Sequence, residues 1–280
     1  MRTILTIILI ICCLTGLTQN SYKTIKVEGC VQNMVSPSCL KKGDLLKGDE
    51  TLRFDKPGSF AVLVSSVGEV VTVKVQDTTK NKTESGFNFT FAEVVRTAKG
   101  TEGETSTRGV ANQQVTNFRD FLGEGRFTVI GDEARFGVSP RIYPVSKDKF
   151  LVLHYTLDTF KVSKRLGFRD QVIRFQKNRL TEIDGVDFDR SKIEGVNLYY
   201  YEVATKSTER IATFDLVFIT PDQLISDFDE VYNTLPEKDK QKPQDLAKVL
   251  NAFFNSFYGK TEPQSLQFII DEYVGRVFKK

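Results

Sequence analysis

The chain reads as an α+β protein: a small N-terminal β-barrel-like module, then an antiparallel sheet followed by three C-terminal amphipathic helices. Three observations predict this. Between Ile25 and Val75 short apolar-polar alternations are separated only by turn residues. From Phe150 to Thr220 strand-like runs follow one another with little helical period between them. Beyond Thr220 the apolar spacing changes to that of helices with one buried face.

The first element is a leader. MRTILTIILIICCLTGLTQN has a basic Arg2, an apolar run from Ile4 to Leu17 and small residues before Gln19, the layout of a secretory signal peptide over residues 1–18. A spanning helix wants roughly 18 or more apolar residues, so this run is short for a membrane segment. A lipid anchor would need a small residue before the cysteine, but Ile11 precedes Cys12 and Cys12 precedes Cys13. The expected location is therefore exported: periplasm, cell surface or extracellular space. No later stretch is apolar enough to predict a membrane span.

Cleavage removes two cysteines and leaves Cys30 and Cys39. In an oxidising compartment that pair favours a disulfide over free or metal-bound thiols. Two thiols and one histidine do not complete a closed zinc site. The formal net charge of +3 becomes +2 without Arg2, and 39 basic and 36 acidic residues are well mixed. Nothing in that balance marks a nucleic-acid partner.

Residues 19–80 are expected to form the small all-β module, an SH3-like or Greek-key barrel. Its clearest marker is LKKGDLLKGDETLRF, where Lys42-Gly43-Asp44 is echoed by Lys47-Gly48-Asp49. Lys-Gly-Asp resembles an integrin-recognition tripeptide, but turn chemistry explains it better. Glycine can adopt the positive φ of a tight turn, and aspartate can bond the backbone beyond it. Leu45 and Leu46 between the copies are expected to feed the barrel core.

Residues 81–112 read as a linker or long loop, because Lys99 to Gly109 offers nothing apolar to bury. Asn81 and Asn88 begin N-x-T sequons, relevant only in a eukaryotic secretory pathway. The α+β domain is expected over 113–280. VTNFRDFLGEGRFTV predicts a short helix stopped at Gly123, then a strand. KFLVLHYTLD puts Leu151, Leu153, Tyr155 and Leu157 on one face, and Asp184-Gly185 signals a hairpin between RLTEI and VDF. Helices are expected at about 221–234, 243–258 and 263–278. Thr220-Pro221 supplies the first start, and Gly259 supplies a left-handed stop for the second.

Few residues suggest chemistry. His154 is the only histidine, so any Ser-His-Asp or Cys-His site must use it, yet no G-x-S-x-G accompanies it. Glu182, Asp184, Asp187, Asp189 and Glu194 are the best cluster for a hard cation. Asp184, Asp187 and Asp189 are the weak metal candidates, although Lys192 stands where a calcium loop needs glycine. The same carboxylates would serve a glycosidase-type pair only if the fold set them at the right separation. Alternation in Leu198-Tyr199-Tyr200-Tyr201 sends Tyr199 and Tyr201 to one face, as a sugar platform requires. The absence of tryptophan favours core packing instead. GEGRF at Gly123 to Phe127 reads as a turn, and no P-loop or dinucleotide fingerprint occurs.

LKKGDLL with FAVLVSS, TSTRG, SPRIYPVSKDKFLVLHY, LYYYE and FNSFYGKTE resemble a family of secreted bacterial envelope proteins with an N-terminal SH3-like β module. The resemblance implies export and the two-part architecture, and no activity, cofactor or catalytic residue. It departs at Gly68-Glu69-Val70, where the family has a basic and an aromatic residue. The expected disulfide rests on this chain alone. The expected function is that of an exported, non-enzymatic interaction or scaffold protein, without cofactor, that binds another envelope or extracellular protein. A secreted hydrolase with a carboxylate pair and a carbohydrate-binding module are the alternatives.

Overall fold

A computed structural model of the chain describes residues 21–56, 58–75, 82–83, 86–97, 114–123, 125–240 and 242–279. The signal-peptide reading, the Asn81 sequon and the Lys99 to Gly109 stretch fall outside the described residues. The chain divides after Thr97 into two compact units.

Unit 1 runs through β1 (Ser21–Glu28), β2 (Val31–Asn33), β3 (Ser36–Cys39), β4 (Leu45–Lys47) and β5 (Thr51–Phe54). It continues with β6 (Phe60–Ser65), β7 (Val70–Lys74), β8 (Lys82–Thr83), β9 (Gly86–Thr90) and β10 (Val95–Thr97). One sheet has the order β10-β7-β6-β1-β4, the other β3-β2-β5-β9-β8. The predicted barrel is not formed: both sheets are open, and one shared core of Val31, Leu46, Leu52, Phe54, Leu63 and Val73 lies between them. Apart from β2–β3, β6–β7 and β8–β9, successive strands change sheet instead of pairing in order around a closed ring, and apolar alternation does not encode that choice.

The changeovers have a local cause. At Gly29 the backbone takes φ +72°, and a Cβ would collide with the Ser59 side chain. Asp55 ties two changeovers together: its carboxylate accepts from Cys30 N at 3.1 Å and from the Ser59 hydroxyl, while its own N–H donates to Cys30 O at 3.1 Å. The Ser59 bond foremost holds its carboxyl below the usual aspartate value. Cys30 and Cys39 are disulfide-bonded across this corner, with Cα atoms 5.2 Å apart.

The two Lys-Gly-Asp copies are both turns, but differently made. Gly43 has φ +91°, and Asp44 Oδ2 accepts from Lys41 N, behind it in sequence. In the second copy Glu50, not Asp49, accepts from Lys47 N at 3.0 Å. Only Leu46 enters the core; Leu45 is 69% exposed.

Unit 2 holds β11 (Arg126–Ile130), β12 (Glu133–Gly137), β13 (Lys149–Leu157), β14 (Phe160–Arg165), β15 (Gly167–Arg169) and β16 (Val172–Gln176). After the β17 (Glu182–Ile183) and β18 (Val186–Asp187) hairpin come β19 (Ile193–Glu202), β20 (Ser207–Ile219) and β21 (Lys260–Thr261). The main sheet has the order β14-β13-β19-β20-β11-β21, and β12-β16-β15 form a second one. The expected antiparallel sheet is therefore mixed: β11 lies parallel to both β20 and β21. Strand direction depends on a partner far along the chain, which local periodicity cannot report. The α+β assignment is replaced by a mostly β architecture, strand 45% against helix 29% of the described residues, with several sheets.

A phenylalanine cluster joins the two sheets of unit 2. Phe136 and Phe175 rings meet edge to face at 5.1 Å, and Phe127 and Phe175 at 5.8 Å. Three helices end the chain, α1 (Pro221–Thr234), α2 (Pro243–Phe257) and α3 (Pro263–Phe278). Thr220 caps α1 through Gln223 N. Phe228, Phe253 and Tyr273 pack their buried faces together. Beyond α2, Gly259 has φ +74° and leaves no room for a Cβ against the Arg126 carbonyl. Thr128 Oγ1 then donates to Tyr258 O at 2.6 Å, fastening the helices to β11.

Opening the Cys30–Cys39 loop, which spans nine positions, should cost unit 1 about 2–3 kcal/mol by the loop-entropy relation. Urea unfolding of Cys30→Ser/Cys39→Ser beside the unsubstituted chain measures it. Burial foremost raises the hydroxyl pKa of Tyr155, Tyr258 and Tyr273, with Asp227 and Asp229 adding to the last two. Such groups contribute stability below their unfolded pKa, about 10, and lose it as pH rises toward the folded value. Stability should thus fall above about pH 10, by up to about 1.4 kcal/mol per pH unit for each tyrosine, and Tyr155→Phe should make the fall shallower.

Candidate functional site

Register on the main sheet builds the candidate site. β13 pairs with β19 so that Leu151, Leu153, Tyr155 and Leu157 enter the core. Alternation then sends Phe150, Val152, His154 and Thr156 to the opposite face, where all are half-buried or exposed. Tyr201 lies opposite Phe150 and Tyr199 opposite Val152. β14 sets Lys161, Ser163 and Arg165 opposite Thr156, His154 and Val152, and β20 sets Arg210 opposite Tyr199.

The result is a flat aromatic ladder with a basic rim. The Phe150 and Tyr201 rings are 5.2 Å apart and tilted by 34°; those of His154 and Tyr199 are 4.6 Å apart at 41°. Arg165 lies over the Phe150 ring at 3.8 Å, a cation–π contact. Its guanidinium also donates to the carbonyls of Ser146 and Lys147, at 3.1 and 3.2 Å, so it is held in place. Beside the ladder, Thr213 donates to Asn197 Oδ1 at 2.8 Å. Such a face can stack, accept cation–π contacts and donate hydrogen bonds. His154 makes no hydrogen bond among the described residues, so no acid orients its ring as a catalytic base needs.

The other residues singled out in the sequence occupy a different place. Asp184, with φ 50°, and Gly185, with φ 80°, form the tight turn joining β17 to β18. Asp187 accepts from the Thr181 hydroxyl at 2.6 Å, and Asp189 caps a short 3-10 turn through Ser191 N at 2.9 Å. That backbone bond foremost holds the Asp189 carboxyl below its ordinary value. All three carboxylates are exposed. Among the described residues no group of three or more His, Cys, Asp or Glu side chains is placed to hold a metal ion. Tyr200, on the core face, donates to Pro144 O at 2.7 Å and packs against Tyr143, while Tyr199 and Tyr201 stay on the outer face. No helix among the described residues is long and apolar enough to cross a membrane.

Alternation in the sequence already sets Tyr199 with Tyr201, and Phe150 with His154 on the face opposite the core leucines. Arg165 and Arg210 escaped it, because neither pairing nor rim follows from one strand alone. Because Tyr199 and Tyr201 pack only on the outer face, replacing either by Ala should cost about 1 kcal/mol or less. Leu153→Ala on the opposite face should cost about 2–5 kcal/mol. Denaturant midpoints compare the two faces.

Compared with models of protein families and with curated proteins, the chain matches none.

Proposed function

We propose that the chain is an exported binding protein of the bacterial envelope or extracellular space, which engages another protein through the outer face of β14, β13 and β19. The supporting observation is the half-exposed ladder of Phe150, Tyr201, Tyr199 and His154 with Arg165 and Arg210 at its edge. Tyrosine gives much contact area for little conformational entropy and arginine gives many donors, and both are enriched at protein–protein hot spots. Lys161, Arg165 and Arg210 outweigh Glu194, which lies opposite Thr156, and make the rim net basic, so the complementary surface is a protein with an apolar centre and acidic surroundings.

The hydrolase reading needs two carboxylates facing one another in a cleft. Asp184, Asp187 and Asp189 instead lie exposed on a hairpin and the turn after it. The carbohydrate reading keeps one point in its favour, since Tyr199 and Tyr201 share a face and neither is fully buried.

The test uses the full chain as bait for proteins of an envelope extract, beside Tyr199→Ser/Tyr201→Ser. Phe268→Ser, at a residue 67% exposed on α3, serves as control. The proposal expects a protein held by the unsubstituted chain and by the control but lost by the double variant. An identical set of proteins on all three overturns it. Saturable binding of neutral oligosaccharides, abolished only in the double variant, would transfer the face to a carbohydrate ligand.

A further inference from the structure

A second feature of unit 2 borders the acidic hairpin at Glu182 and goes beyond the proposed protein-binding role. Between β14–β15, β16 and the helical turn Lys177–Thr181 runs an open groove of about 490 Å³, continued by a lobe of about 350 Å³ that shares Gly167, Arg174, Gln176 and Arg179 with it. Five cations line the two, Lys164, Arg165, Arg169, Arg174 and Arg179, against one carboxylate, Glu182.

The cations divide into fixed charges and available donors. Lys164 donates to Glu182 O at 2.9 Å and Arg165 to the carbonyls of Ser146 and Lys147, so these two contribute field. Arg179 has no hydrogen-bond or ion-pair partner for its guanidinium among the described residues. Arg174 Nε is shut from solvent without a hydrogen bond, and its nearest carboxylate oxygen, on Glu133, is 3.8 Å away. Arg135 Nε donates to Glu133 Oε2 at 2.6 Å, while Glu133 Oε1, the oxygen ion-paired with Arg174, is likewise buried without a hydrogen bond. Arg169 sits 3.5 Å from Asp170, with both side chains largely in solvent.

Gly167 leaves room at the groove wall. It stands directly opposite Arg174 on the neighbouring strand, and a Cβ there would lie 3.2 Å from Arg179 Nη1. Its φ is not in the left-handed region, so the backbone does not demand glycine; the space is used by a guanidinium. Two planar forks, Arg174 and Arg179, thus line one groove beside a residue without a side chain. Like charges gathered this way repel unless an anion joins them, and guanidinium forks match oxyanions with paired hydrogen bonds. Leu166, Leu180 and Phe168 are the only apolar side chains of the lining, so the groove suits a hydrophilic occupant.

We propose that this groove binds a small, multiply charged oxyanion, a phosphate- or sulfate-bearing ligand, with Arg174 and Arg179 as its direct partners and Lys164, Arg165 and Arg169 as supporting charge. The test is calorimetric titration of the full chain with pyrophosphate, sulfate and citrate at one fixed ionic strength, because exposed charges are screened within about 8 Å in physiological salt. Pyrophosphate or sulfate should saturate the protein, and Arg179→Gln and Arg174→Gln should each weaken binding about tenfold or more. Arg141→Gln removes the same charge from an exposed position outside the groove and should change affinity less than about twofold. Arg179 is exposed and unpaired, so its variant keeps the test decisive should Arg174→Gln unfold. No saturation at millimolar ligand, equal losses in Arg141→Gln and Arg179→Gln, or citrate binding tightest would each overturn the assignment.

Discussion

The register of β13 on β19 is the constraint on which the second unit depends. Side chains alternate across a strand, so one residue of slip would exchange every inward side chain for an outward one. Leu151, Leu153, Tyr155 and Leu157 are buried together with Leu198 and the phenylalanines of the second sheet. That burial is worth far more than anything on the other face, at about 25 cal/mol for each Å² of apolar surface removed from water. The core therefore selects the register, and the ladder of Phe150, His154, Tyr199 and Tyr201 is what the selected register leaves outside.

The same sheet separates two kinds of surface. Its outer face is flat and aromatic, suited to broad contact. Past its β14 edge, chain direction changes at β15, and cations from β14, β15, β16 and the turn Lys177–Thr181 line one groove and its lobe. Arg165 belongs to both, stacking on Phe150 while lining the groove. A ligand in the groove would thus lie in the field of the residue that forms one edge of the ladder.

The first unit is organised by a corner instead of by a long register. Gly29, Cys30, Asp55 and Ser59 meet where the chain passes between its two sheets, and the disulfide closes beside them. Short strands bury little individually, so covalent closure and a carboxylate serving several donors carry weight that a longer sheet would supply by pairing.

What the sequence by itself determined is local. Turn glycines, the Asp184-Gly185 hairpin, the Thr220-Pro221 helix start and the inward leucines of β13 follow from backbone sterics and from the periods of strand and helix, which nearby residues decide. What only the tertiary structure decided is pairing. Unit 1 formed two open sheets and no barrel, β11 ran parallel to β20, and Asp184, Asp187 and Asp189 were spent on a turn, a hydroxyl and a cap. The cations of the groove lie among mixed charges along the chain, so a near-neutral composition hid them. Composition averages over the whole sequence, whereas an electrostatic field adds only what the fold brings within a few ångströms, and that distance is set by partners remote in the chain.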